Sequence, residues 1–111
     1  MMHATDFFEL LEAKGVPLQE LGIRDIGLRL KDALLAVQKL RESSVPILGG
    51  DVYVKRGDKI QLAYANWHCD PMLGEPYSEY LARSWATTET YIKAYPQSED
   101  ATVLFALVIG K

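Results

Sequence analysis

With 111 residues, 49% of them apolar and 24% charged, the chain has the size and balance of one ordinary globular domain, able to bury about two-thirds of its unfolded surface. A formal charge of -3, from 12 basic and 15 acidic residues, argues against a general nucleic-acid binder, because neutralising phosphates needs a basic patch. The single cysteine, Cys69, excludes an intramolecular disulfide and a four-cysteine zinc site.

The first residues, MMHATDFFELLEAKG, are acidic and lack a basic region leading into a long apolar run, so they do not read as a signal peptide. The longest apolar run, Val103 to Ile109, is too short to span a bilayer as a helix. The expectation is a cytoplasmic chain with no membrane contact, folded over residues 1–111 as a single domain.

Thr5 ahead of DFFELLEAKG predicts an N-cap followed by acids near the positive end of a helix, with Gly15 as its stop. Phe7, Leu10 and Leu11 would form its buried stripe. Pro17 and Gly22 punctuate the next segment, and Ile26 to Leu28 reads as a short strand. From Leu30 to Ser43, the spacing of Leu30, Ala33, Leu34, Val37 and Leu40 predicts a second helix, which Pro46 keeps from continuing.

DVYVK and IQLAY alternate and predict two strands around RGDK. Placing Val52, Val54, Ile60, Leu62 and Tyr64 on one buried face sets Val54 opposite Leu62. That parity demands a loop with an odd number of residues and a bulge near Gly57. A two-residue turn at Gly57-Asp58 would instead set the valines opposite Gln61 and Ala63. A polar loop with Pro71, Gly74 and Pro76 leads to a third helix over Tyr77 to Ala94. Its apolar face carries Tyr80, Leu81, Ser84, Trp85, Thr88, Tyr91, Ile92 and Tyr95. TVLFALVI, continuous rather than alternating, reads as a central strand covered on both faces. The fold class is α+β, in the order α-(β)-α-β-β-α-β, with a largely antiparallel sheet of three to four strands packed by helices.

Several short patterns suggest chemistry. Gly49-Gly50 enters a strand with no Gly-Lys-Ser/Thr sequence, so it reads as a bulge or close backbone approach and not as a phosphate cradle. Gly-Gly-Asp also occurs in the hairpin motif of diguanylate cyclases, but Val52 and Tyr53 stand where that motif has its acid and phenylalanine. Arg56-Gly57-Asp58 is composed of ordinary turn residues. In NWHCDP, Cys69 has no partner base in sequence reach except His68, and the other histidine, His3, lies at the terminus. His68 and Asp70 are two ligands where a metal needs more. The reading is that Trp67 plugs the edge of the core, Asn66 and Asp70 cap turns, and Cys69 is a small buried residue. No catalytic residue, metal or cofactor is expected.

With the valine face buried, Asp51, Tyr53, Lys55 and Gln61 lie on the other face. An exposed Tyr53 beside an acid and near Trp67 has the composition of a protein-binding hot spot. A second covering layer would make Tyr53 core instead, and periodicity does not separate the two.

Gly49, Gly50, Asp51 and Tyr53 in ILGGDVY, joined to Tyr64, Asn66 and Trp67 in YANWHCD and to the helix EPYSEYLARSWATTETYI, resemble a known family. They look like the bacterial immunity proteins of polymorphic toxin systems, most like the immunity protein 40 family. The resemblance runs from GIRDIGLRLKDALLAVQKLR to the final apolar strand. Pro76 departs from it, standing where a small polar residue would open the third helix.

The resemblance implies a non-catalytic bacterial protein, made beside a secreted toxin, that binds a cognate toxin domain and covers or blocks its active site. The family brings no assigned catalytic residues to carry over. On this reading the toxin-binding residues are Asp51, Tyr53, Asp58, Tyr64, Asn66, Trp67 and Asp70. A nuclease toxin would present a basic cleft to Asp51, Asp58 and Asp70, with no direct nucleic-acid binding by this chain and a homodimer left open. The alternative is a small enzyme or ligand-binding domain with a pocket near His68 and Cys69, between the hairpin and the third helix.

Overall fold

Residues 5–19 and 25–110 are described by the computed structural model of the chain; His3 and Gly22, noted above, lie outside them. The order is α1 (Thr5–Lys14), β1 (Val16–Pro17), β2 (Ile26–Gly27), α2 (Leu30–Glu42), β3 (Ile47–Arg56), β4 (Lys59–His68), α3 (Tyr77–Ala94) and β5 (Thr102–Ile109). Among the described residues, three helices and two antiparallel sheets make an α+β fold. The larger sheet has the order β4-β3-β5, and β1 pairs with β2 in the smaller one.

The helices form where the apolar spacing places them. Phe7 and Leu10 are buried on α1, which closes as Gly15 N–H donates to the Leu11 carbonyl at 2.8 Å. Ala33, Ala36, Val37 and Leu40 are buried on α2, and Tyr80, Leu81, Ser84, Thr88 and Ile92 on α3. All three helices supply one core with Ile47, Val52 and Trp67 from the hairpin and Val103, Phe105 and Leu107 from β5.

The second face of the sheet has a smaller cover. Val16 and Leu18, beside β1, pack on Tyr53, Ile60, Leu104 and Ala106. Leu28, just after β2, exchanges two 2.8 Å backbone hydrogen bonds with Phe105 and so occupies the middle of β5's outer edge. β5 is therefore buried on both faces without being the central strand; that position belongs to β3. A continuous apolar run reports coverage of both faces and says nothing about rank in the ladder.

The hairpin corrects the expected register. Arg56 pairs with Lys59, Val54 with Gln61 and Tyr53 with Leu62, so the turn is the two-residue Gly57-Asp58 and not an odd loop. Gly57 has φ +58, the left-handed value that primed hairpin turns require at their first central residue. The parity argument assumed that Val52 and Ile60 share a buried face. They belong to opposite cores, Val52 under the helices and Ile60 under β1 and Leu18. The bulge is real but lies elsewhere. Asp51 pairs with Asn66 and Tyr53 with Leu62, leaving Ala63, Tyr64 and Ala65 opposite Val52 alone.

Candidate interaction surface

One end of β4 is anchored by Trp67. The strand runs on through Asn66, Trp67 and His68, so the tryptophan lies in the ladder and not in a loop. Its indole N–H donates to Thr88 Oγ1 at 3.0 Å, and its ring stacks on Tyr91 with centroids 4.6 Å apart. The glycine pair makes room for it. A Cβ on Gly50 would sit 2.3 Å from Trp67 Cη2, and one on Gly49 would sit 2.3 Å from the Trp67 carbonyl oxygen. The double glycine is thus a close approach, as its lack of a phosphate-binding context implied.

The segment after β4 is clamped. Arg83 on α3 donates to both carboxylate oxygens of Glu75 at 2.8 Å, to the Asp70 carbonyl at 2.6 Å and to Cys69 Sγ at 3.0 Å. Tyr80 O–H donates to the Cys69 carbonyl at 2.8 Å. The Arg83 guanidinium, helped by the Met72 N–H, holds the Glu75 carboxyl down to about 2, and Glu75 in turn raises Arg83. Nothing in the one-dimensional pattern marks Glu75 and Arg83 as partners, because they meet across the start of α3.

Cys69 is 3% exposed, while His68 points to solvent with Nδ1 3.7 Å from an Asp70 carboxylate oxygen. The two side chains do not converge. Neither the groove lined by Ala86, Thr87, Thr90, Tyr91 and Ala94 nor the one lined by Ile60, Gln61, Leu62 and Tyr64 includes either of them. Among the described residues no group of three His, Cys, Asp or Glu side chains is placed to hold a metal ion.

Of the residues singled out in the sequence, Asp51, Tyr64, Asn66 and Asp70 reach the surface of this half of the hairpin. Asn66 and Asp70 leave their side chains to solvent, and among the described residues neither caps a turn. Tyr53 is 4% exposed and lies in the smaller core, where burial first, then Asp51 and Asp25, raise its phenol pKa. Trp67 is likewise buried. Asp58 sits apart at the hairpin tip among Lys55, Arg56 and Lys59, so the tip is locally positive.

The described outer edge of the sheet is β4, which pairs only with β3. Tyr64, at the apex of the bulge, has φ +55 and is 90% exposed. Leu62 beside it is 46% exposed, contrary to its expected burial, because the cover from β1 and Leu18 stops at Ile60. Val108, opposite Gly49 on β5, is also exposed. Exposed Leu62 and Tyr64, with Asp51, Asn66 and Asp70 toward the other end of the hairpin, have the composition of a recognition surface.

The model of the family described as Immunity protein 40 matches residues 17–109. The chain belongs to that family. The match covers the sheet, α2 and α3 and leaves out only α1 among the described helices. No curated protein and no solved structure matches the chain. Membership makes it an immunity protein, a class that acts against a toxin. No helix among the described residues is long and apolar enough to cross a membrane.

Proposed function

We propose that this Immunity protein 40 family member binds a cognate toxin domain through the outer edge of its hairpin and neutralises it by covering or blocking the active site. Tyr64, Asn66, Asp51 and Asp70 make the contacts near the bulge, Asp58 contributes at the tip, and Tyr53 and Trp67 hold the surface from beneath. The observation that carries this reading is the exposed patch around Leu62 and Tyr64 on the edge strand of a family member. In this reading the chain is made beside the toxin in a polymorphic toxin system of the contact-dependent kind. It acts in the cytoplasm of the producer and its kin, as a binder and not as a catalyst.

Asp51 and Asp70 give the end of the hairpin nearest Trp67 a negative character, and the tip is positive. A nuclease toxin, with a basic substrate cleft, would meet the acidic end first. Co-expression with the toxin domain encoded by the adjoining upstream frame tests the whole reading. Growth is rescued and the two chains co-purify, with an association rate that falls as salt rises. A toxin that still kills and leaves this chain unbound refutes it, and a salt-independent rate removes the electrostatic part.

A further inference from the structure

We propose that Tyr64 is the anchor of the complex. Its ring inserts as a knob into an apolar pocket of the toxin domain, and the two proteins do not join by strand pairing along β4. This rests on the immunity reading above and adds the mode of recognition to it.

The backbone supplies the first argument. A φ of +55 is the left-handed region, where the Cβ of a bulky L-residue crowds its own carbonyl. Glycine, or asparagine, is the residue that suits such a position. Tyrosine stands there instead, and the residue is 90% exposed. Among the described residues its side chain makes no hydrogen bond and no ring contact that would offset the strain. A strained conformation without a local return points to a role outside the fold.

The flanks explain how the conformation is held. Leu62 is registered to Tyr53, and Asn66 to Asp51. Ala63 and Ala65 pack toward the main core, and Trp67 is fixed beyond them. With both ends set, the extra length of β4 has no course except outward, and Tyr64 is its apex.

The surroundings decide the mode. A partner strand adding to an edge needs a continuous row of outward N–H and C=O groups. The bulge divides β4 into Lys59–Leu62 on one side and Asn66–His68 on the other, too short and out of line for one ladder. A knob suits the place instead. Beside the ring lies a groove of about 420 Å³ lined by Ile60, Gln61, Leu62 and Tyr64 itself. Charge is divided across it, with Lys55, Arg56 and Lys59 toward the tip and Asp51 and Asp70 toward the other end. The partner pocket that fits is apolar at its centre, with basic groups on the rim facing Asp51 and acidic groups facing the tip.

The test uses the purified full chain, with Tyr64→Ala, Tyr64→Phe and Tyr64→Gly, against the toxin domain of the adjoining upstream frame. Tyr64→Ala and Tyr64→Gly are expected to weaken binding at least ~10-fold, while Tyr64→Phe stays within ~5-fold. Tyr64→Gly is also expected to melt about 2–5 °C higher than the parent, since glycine relieves the left-handed strain. A more stable protein that binds worse is a signature no purely structural role produces. Losses below ~10-fold in both truncations, or a Phe variant as weak as Ala, overturn the anchor and leave the immunity reading standing. A Tyr64→Gly variant that melts lower overturns the strain argument. If Tyr64→Gly abolishes only self-association in sedimentation, the knob belongs to a homodimer and the proposal falls. A parent chain that fails to bind the domain at all overturns both readings.

Discussion

Trp67 and Tyr64 stand three positions apart on β4 and are built by opposite means. Around Trp67 the side chain is held by partners within the fold: Thr88 takes the indole N–H, Tyr91 stacks on the ring, and Gly50 keeps the space clear. Around Tyr64 the backbone is strained and the ring is left in water. The first arrangement uses side-chain chemistry to hold a strand in place. The second uses the rigidity so obtained to present a residue that contributes nothing evident to the fold. The difference separates the parts of the hairpin that a partner can touch from the parts that keep it in shape.

The largest test of that division is Trp67→Ala. Removing a buried indole between Tyr91 and Phe105 is expected to cost about 3–5 kcal/mol, a large share of the roughly 5–15 kcal/mol available to a domain of this kind. Urea denaturation measures it, and a loss below about 1 kcal/mol would break the comparison. Next comes Gly50→Ala. The new methyl would meet Trp67 Cη2 at 2.3 Å and the Ala106 carbonyl oxygen at 2.6 Å, and it is expected to cost about 1–3 kcal/mol. Combining it with Trp67→Ala sharpens the point. The indole clash disappears while the Ala106 clash stays, so the two losses sum to less than their separate values. Strict additivity would show that the glycine serves the backbone alone.

How much of this was legible follows the same line. The three helices, and the face of α3 that carries Tyr80, Ser84, Thr88 and Ile92, could be read from helical spacing because one face of each is buried in the same core. The double glycine could be read as a close approach because nothing near it suited a phosphate. The faces of the hairpin could not be read. Both are covered over part of their length, and the second cover comes from Val16 and Leu18, a segment too short to have a period of its own. The bulge was hidden for a subtler reason. It adds two residues to β4, so the alternation of period two continues through it unbroken. A one-residue bulge would have put Trp67 and Leu62 on the same face and left a visible fault in the pattern. Alternation therefore pointed the surface at Tyr53 beside Trp67, two residues that the fold keeps inside, and Tyr64 and Asn66 entered by resemblance.

The smallest expected effect concerns the clamp beyond Trp67, and it sharpens the comparison by asking whether the loop there is held by charge. The Glu75 carboxyl lies at about 2 in the folded protein against an ordinary 4.5, first because Arg83 donates to it and then because Met72 N–H does. A lowered folded value means that the native state favours the ionised carboxylate more than the unfolded chain does. The resulting stabilisation is fully present above about pH 4.5 and is lost progressively as pH falls toward 2. Glu75→Gln removes it at neutral pH while keeping the shape of the side chain. The variant is therefore expected to melt below the parent at pH 7, with the gap closing between pH 4.5 and 2. Melting curves across that range check it. A gap that stays constant would mean that Glu75 holds the loop by packing, and the locked end of β4 would then owe nothing to the Arg83 charge. Toxin affinity measured at neutral pH is expected to change little in the same variant, because the clamp positions Asp70 through its backbone carbonyl while Tyr64 is held by a register fixed upstream of it.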